Sequence, residues 1–220
     1  MPNLLNITRR IFLCVLPLLF AACATPDYDY TAFRQSNPHS ILVLPPLNNS
    51  PDINATYSVM STVTKPLAEA GYYVFPVALV DQTFRENGLH NPAEMHQAPL
   101  DKIREIFGTD SALYINVTKY GPTFLLFSSE VVVTAHAKLL DTRNGQLLWE
   151  GSATASDSEG NNNSGGLVAL LVIAVVKQVV SDVVGDGHSR NIARTTNVRL
   201  LAPRKNGMLN GPRSPLYEQK

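Results

Sequence analysis

Three side chains in the segment HNPAEMH have the chemistry of zinc ligands: His90, Glu94 and His96. Zinc binds imidazole nitrogens and carboxylate oxygens, and helical zinc sites place two histidines four residues apart, as in H-E-x-x-H. Here the two histidines are six positions apart, and Pro92 lies between them in a segment whose composition is typical of a loop. We therefore predict surface histidines at these positions, and no metal site.

Motifs for covalent catalysis are missing from the sequence, which contains neither G-x-S-x-G nor S-x-x-K. The segment GDGHS, residues 185–189, is rich in glycine but lacks the lysine of a phosphate-binding loop. We interpret its glycines as the end of a helix. The sequence therefore predicts a protein that is not an enzyme and binds no cofactor; a cryptic hydrolase is the alternative.

One cysteine stands where a different covalent reaction is expected. Residues 1–10 end in two arginines and residues 11–22 form an apolar run, a pattern typical of a secretory signal peptide. This run is shorter than the ~20 residues that a membrane-spanning helix needs. It ends in Phe20-Ala21-Ala22-Cys23, which resembles the bacterial lipobox, although Phe20 replaces the usual leucine. We predict cleavage before Cys23 and acylation of its thiol and new amino group; the alternative is an apolar helix with an incidental thiol.

The predicted mature chain has a composition that excludes one class of partner. Removal of residues 1–22 leaves 198 of the 220 residues, with 16 basic and 18 acidic side chains and a net charge of −2. A nucleic-acid partner would require a basic surface, so we predict none. Ala24 follows the cysteine where inner-membrane retention usually has aspartate, which favours the outer membrane.

The remaining pattern predicts an α/β fold: a mixed sheet of about five strands with a β-hairpin, flanked by helices. Period-two and continuous apolar runs indicate strands, and apolar residues at helical spacing indicate helices, with a kink or a restart at Pro66. The predicted strands are residues 40–47, 72–80, 111–120, 128–140 and 146–155; the predicted helices are residues 55–70, 80–87, 99–107 and 167–184.

The clearest local signal is the hairpin that turns at residues 141–145, where Asn144-Gly145 tolerates the positive φ of a tight turn. His136 falls on the more polar face of the first strand. On the returning strand, the period of two predicts that Trp149 packs inward together with Leu147.

Residues 167–184 predict a helix that is apolar around nearly its whole circumference, and such a helix must be covered on all sides. One alternative is that the C-terminal segment covers the side that faces away from the sheet. The other is a second subunit in a homo-oligomer, with a self-association surface formed by Leu171, Val172, Val175 and Val179.

The predicted organisation has four parts. Residues 1–22 are a lipoprotein signal peptide, and residues 23–38 are the acylated cysteine and a flexible tether. Residues 39–201 are a single α/β domain, and residues 202–220 are an irregular tail rich in proline and glycine.

Three motifs carry a resemblance to a known family: ILVLPPLNNSPDINA after the lipobox, DTRNGQLLWEG in the hairpin and NGMLNGPRSP near the end. Over residues 38–215 the chain resembles a family of predicted bacterial outer-membrane lipoproteins of unknown function, found alongside lipoproteins similar to the curli secretion channel. The D-x-x-x-G-x-x-x-W hairpin also resembles the N-terminal domain of the Tol–Pal protein TolB, the curli channel's periplasmic domain and a lipoprotein activator of peptidoglycan synthases. The resemblance implies an α/β domain with a role in the envelope, and no catalytic residues.

Anchor, tether and family resemblance together predict an outer-membrane lipoprotein on the periplasmic side. We expect a non-enzymatic adaptor in the assembly of an envelope export or secretion structure, with a curli-channel-like lipoprotein among its candidate partners. The alternative is a regulator of a peptidoglycan synthase. A coil of about fifteen residues reaches only ~20 Å, which favours a partner near the outer membrane.

Overall fold

The computed structural model describes residues 28–125, 128–159 and 186–217, and all statements below concern these residues. They form six helices and six strands. In chain order these are α1 (Thr31–Ser36), β1 (Ser40–Val43), β2 (Leu47–Asn48), α2 (Ala55–Glu69), β3 (Tyr73–Val74), α3 (Val77–Glu86), α4 (Pro92–Met95), α5 (Leu100–Phe107), β4 (Ser111–Leu125), β5 (Ser128–Asp141), β6 (Leu147–Ser156) and α6 (Asp186–Leu201).

The strands form one mixed sheet in the order β3-β1-β4-β5-β6, as the α/β prediction requires. Strand β1 pairs in parallel with β3 and β4, whereas β4, β5 and β6 form an antiparallel meander. Prolines cannot donate to the ladder, so the strand is interrupted at Pro45-Pro46. Strand β2 follows these prolines and continues the direction of β1 along β4. Within the described ranges, none of the helices combines the length and apolarity needed to cross a membrane.

Both faces of the sheet are buried where β1 lies, so residues 41–44 are all fully buried. Helices α2 and α6 cover one face, over a core that includes Ile41, Val43 and Trp149. Helices α3, α4 and α5 cover the other face over β1, around Leu42 and Leu44. On that second face the polar side chains of β5 and β6 are uncovered, and His136 is exposed as predicted.

Two boundaries predicted around Pro76 are wrong. The strand predicted over residues 72–80 is only Tyr73–Val74, and the helix predicted from residue 80 begins at Val77. Proline removes a ladder donor and is well suited to a helix start, so Pro76 ends one element and begins the next. Helix α2 runs through Pro66 without a restart. Helix α5 agrees with its prediction and ends at Gly108, which has φ +65°.

The C-terminal part of the fold differs most from the sequence prediction. The segment GDGHS was interpreted as a helix end, but its residues 186–189 lie within helix α6. The buried side chains of α6 recur at helical spacing, but most are small or polar, so the segment lacks an apolar stripe: they are Ser189, Ala193, Thr196, Asn197, Leu200 and Leu201. Residues 202–217 are irregular as predicted, yet they belong to the domain, because Met208 is fully buried.

The hairpin forms with nearly the predicted bounds, and Trp149 packs inward with 1% of its surface exposed. The expectation that Leu147 joins it is wrong: Leu147 is 40% exposed and Leu148 is buried. The register of β5 and β6 shifts between Leu139 and Leu140, which pair with Trp149 and Leu147. Leu148 is the extra residue of this bulge and has no partner in the register. The inward and outward positions along β6 are therefore exchanged beyond it.

The indole of Trp149 lies across Gly151, the next residue on the same face of β6. A Cβ atom added to Gly151 would lie 2.4 Å from Cζ2 and 2.8 Å from Cη2 of that indole. Glycine at this position therefore makes room for the largest buried side chain.

We predict that Gly151→Ala lowers the free energy of unfolding by about 2 kcal/mol in the wild-type background, because the methyl group overpacks the indole. Trp149→Ala alone should cost ~3–5 kcal/mol. In the Trp149→Ala background, Gly151→Ala should change stability by less than about 0.5 kcal/mol. Urea unfolding of the four proteins measures this coupling. An equal cost of Gly151→Ala in both backgrounds would show that the indole does not need the glycine.

Candidate functional site

Residues 28–36, here called the N-terminal strap, are bound to the domain rather than free. Phe33 on α1 is buried, and Tyr28 and Tyr30 pack against the core. The amide of Tyr28 donates to Oδ1 of Asn206 at 3.1 Å, and the hydroxyl of Tyr30 donates to the carbonyl of Gly207. The flexible tether predicted over residues 23–38 is therefore wrong from Tyr28 onward. Tyr28 lies only five positions after Cys23.

Tyr28 also blunts the outer edge of the sheet. Strand β6 is the edge strand, and the amide of Glu150 donates to the Tyr28 hydroxyl at 3.1 Å. Farther along the same edge, Nη1 of Arg199 donates to the carbonyl of Thr154 at 2.8 Å. Capping unpaired backbone groups in this way discourages pairing of the edge with another strand.

The aspartate of the D-x-x-x-G-x-x-x-W motif fixes the strap to the hairpin turn. Asp141 is 2% exposed and accepts hydrogen bonds from the Ser36 hydroxyl at 2.7 Å and from Nε of Arg143 at 2.9 Å. Nη2 of Arg143 in turn donates to the carbonyl of Ser36 at 2.8 Å. Burial alone would raise the pKa of Asp141, but the hydrogen bonds from Arg143 and Ser36 outweigh it and lower the pKa to about 2.

The NGMLNGPRSP motif lies in residues 202–217, here called the C-terminal segment, which pairs with the end of α2. The amide of Gly211 donates to the carbonyl of Ala70 at 2.7 Å, and the amide of Arg213 donates to that of Gly71 at 3.1 Å. The Tyr72 hydroxyl donates to the carbonyl of Leu209 at 2.8 Å. A Cβ atom on Gly211 would lie 2.7 Å from the Gly71 oxygen, so this approach requires glycine.

Strap, α2 and C-terminal segment enclose a cleft of about 590 Å³, here called the C-terminal cleft. Buried Phe33, Tyr72 and Met208 contribute to its lining, whereas Arg34 and Arg204 are exposed on it. The NGMLNGPRSP motif, which carries part of the family resemblance, therefore builds a wall of this cleft. Its mixed apolar and cationic lining suits an amphipathic or anionic group, and offers no arrangement of nucleophile and base.

Two further depressions lie elsewhere on the domain. One, of about 410 Å³, lies between α3 and α5 and is almost entirely apolar, with Ile106 half exposed on it. The other, of about 500 Å³, lies on the uncovered polar face of the sheet and includes His136, Asn116 and the facing pair Lys138 and Glu150.

The residues considered as zinc ligands have local structural roles. Glu94 forms a capping box with Asn91 at the start of α4, and its Oε2 also accepts from the amide of His90 at 2.9 Å. Nε2 of His96 lies 2.9 Å from the carbonyl of Pro45, and burial lowers the pKa of the His96 imidazole. Across the described ranges, no cluster of three histidine, cysteine, aspartate or glutamate side chains is arranged to hold a metal ion.

Other predicted site residues fall outside the described ranges. These are Cys23 and the proposed self-association residues Leu171, Val172, Val175 and Val179, which stay predictions. Conversely, sequence reasoning missed the strap contacts of Tyr28 and Tyr30. The aromatic residues in an otherwise polar segment were the available signal for them.

Comparison with known proteins gives the family. Residues 28–213 match the family model described as "Putative lipoprotein GNA1162-like". The chain belongs to the GNA1162-like lipoprotein family. "Putative lipoprotein NMB1124/NMB1162" of Neisseria meningitidis serogroup B is 46% identical over 200 residues, which cover 89% of this chain and 92% of that protein.

A solved structure agrees with the assignment to this family. The crystal structure of lipoprotein GNA1162 from Neisseria meningitidis is 49% identical and has a TM-score of 0.52, covering 66% of this chain and 99% of its own. The PelC dodecamer from Paraburkholderia phytofirmans matches at 14% identity and a TM-score of 0.43, covering 83% of this chain and 95% of its own. The resemblance to the GNA1162-like lipoproteins is thus confirmed, and that to the TolB N-terminal domain stays a prediction.

We predict that Asp141→Asn destabilises the domain by about 2 kcal/mol at pH 7. The pKa of Asp141 lies below its ordinary value of 3.8, so its ionised form stabilises the fold above about pH 4. This contribution is lost as the pH falls from 4 to 2, so the difference between variant and wild type should shrink over that range.

Denaturant unfolding at a series of pH values measures this difference. Asp101→Asn, at an exposed position on α5, is the matched control and should change stability by less than about 0.5 kcal/mol. A deficit of Asp141→Asn that stays constant down to pH 2 would show that the carboxylate charge does not hold the strap.

Proposed function

We propose that this lipoprotein is anchored in the outer membrane through acylated Cys23 and acts on the periplasmic side as a non-enzymatic adaptor. In this proposal it helps to assemble an envelope export or secretion structure. The observation that carries the proposal is the attachment of the strap at Tyr28, five residues after Cys23.

The short stretch of chain between Cys23 and Tyr28 limits where the domain can act. Five residues span at most ~18 Å when fully extended, so Tyr28 lies within that distance of an acylated Cys23. The domain is then held against the membrane that carries its anchor. This favours a partner in or beside that membrane, and it disfavours the alternative of regulating a synthase in the opposite membrane.

The side chains that could do chemistry support an adaptor rather than an enzyme. Both carboxylate oxygens of Asp141 and Oε2 of Glu94 accept hydrogen bonds within the fold, and Nε2 of His96 lies at a backbone carbonyl. Ile53 and Ile106 are exposed apolar side chains on other surfaces, where contacts with a partner can be sought.

The anchor is tested by Cys23→Ser. We predict that this variant incorporates no radioactive palmitate and leaves the membrane fraction, because the acyl chains alone hold the protein there. The circular dichroism of its domain should be unchanged, because the described core is formed by residues from Tyr28 onward. Equal labelling of variant and wild type would refute the anchor.

The adaptor role is tested by crosslinking in intact cells. A photoreactive amino acid replaces Ile53 or Ile106, which are 86% and 51% exposed. We predict adducts with outer-membrane proteins, with a curli-channel-like lipoprotein as the first candidate, and loss of these adducts in the matched Cys23→Ser strain. Adducts mainly with peptidoglycan synthases would instead support the regulator.

A further inference from the structure

The surface beside the strap combines exposed apolar and cationic side chains. Leu216 is 72% exposed and Val198 is 44% exposed, and both line the C-terminal cleft together with exposed Arg34 and Arg204. These four residues are here called the anchor-side face. Exposed apolar side chains next to cationic ones are the combination found on surfaces that lie on membranes.

Charge on this face is predominantly positive. The C-terminal segment, residues 202–217, contains three cations and no acidic residue. Glu69 also lines the cleft, but it forms an ion pair with Lys65 at 3.6 Å on the next turn of α2. The face is therefore complementary to the phosphates of a membrane surface rather than to a cationic partner.

The strap places this face next to the anchor. Tyr28 and Tyr30 bind Asn206 and Gly207, which lie two and three positions after Arg204 in the chain. The ~18 Å reach of the five preceding residues is less than half the ~40 Å diameter expected for a domain of this length. An anchored domain therefore cannot turn its opposite end to the bilayer.

We propose that the anchor-side face binds the membrane that carries the lipid anchor. Arg34 and Arg204 contact the phosphates of anionic lipids, and Leu216 enters the headgroup region. This proposal rests on the acylation of Cys23 proposed above, and it adds a second, non-covalent contact that fixes the orientation of the domain.

The test uses the acylated protein, purified in detergent and reconstituted into phosphatidylglycerol vesicles. Because the predicted mature chain has no cysteine besides Cys23, Leu216→Cys provides a single free thiol for a fluorescent label. Ile53→Cys is the matched control, since it is 86% exposed and lies beyond the other end of α2, a helix ~22 Å long. Quenching by lipids that carry a nitroxide reports contact with the membrane.

We expect at least twofold stronger quenching of the label at position 216 than at position 53. Arg34→Glu with Arg204→Glu should reduce quenching at 216 to the level at 53, whereas Lys102→Glu with Lys119→Glu, an equal change of charge elsewhere, should not. In phosphatidylcholine vesicles the wild-type difference should shrink.

Each outcome has a distinct meaning. Equal quenching at the two positions, in protein that floats with the vesicles, would overturn the orientation and leave the anchor intact. Strong quenching at 216 that survives the Arg34 and Arg204 reversals would overturn the role of the cations. Wild-type protein that does not float with the vesicles would refute the anchor and, with it, this proposal.

Discussion

Hydrogen bonds to residues more than a hundred positions away fix the N-terminal strap to the domain. Tyr28 binds Asn206 near the C-terminal end, and Ser36 binds Asp141 at the hairpin turn. The C-terminal segment is itself paired with the end of α2 at Gly71 and Gly211. One set of contacts therefore joins the beginning of the described chain, its hairpin turn and its C-terminal segment at the same end of the sheet.

This arrangement gives the two family motifs a physical explanation that catalysis does not supply. In D-x-x-x-G-x-x-x-W, the aspartate holds the strap and the tryptophan fills the core across Gly151. In NGMLNGPRSP, the glycines allow the close backbone approach, and Met208 and Leu209 line the cleft. Both motifs fix the position at which the N-terminal strap attaches to the domain. In the proposed function, this attachment lets a short lipid anchor determine the orientation of the domain as well as its location.

Features with a local cause could be predicted from the sequence. Asn144-Gly145 specifies the hairpin, and four consecutive aliphatic residues specify the doubly buried β1. Features that depend on residues far along the chain could not be predicted from the sequence. Helix α6 buries Asn197, whose amide donates to the Val59 carbonyl at 2.9 Å and to the Thr62 hydroxyl oxygen at 2.8 Å, so its buried stripe is polar in sequence. The strap was likewise missed because its partners lie far along the chain.

The candidate site residues divide in the same way, into those with a local signal in the sequence and those that depend on distant residues. Acylation of Cys23 is predicted from a local signal in the sequence, and it stays a prediction because Cys23 lies outside the described residues. The C-terminal cleft was not predicted, because its walls come from α1, α2 and the C-terminal segment, which come together only in the fold. Leu147 shows the limit of a periodic rule, since a single bulge reverses the faces of the strand.

Native-state hydrogen exchange tests most directly whether the strap is part of the domain. The amides of Arg34 and Asn37 donate to the carbonyls of Tyr30 and Phe33, and that of Tyr28 donates to Asn206. We predict that these three amides exchange at least ~100-fold more slowly than those of an unfolded chain, because exchange requires the strap to detach. Exchange at unfolded-chain rates in residues 28–37, while β4 and β5 stay protected, would contradict a fixed strap and restore a flexible tether.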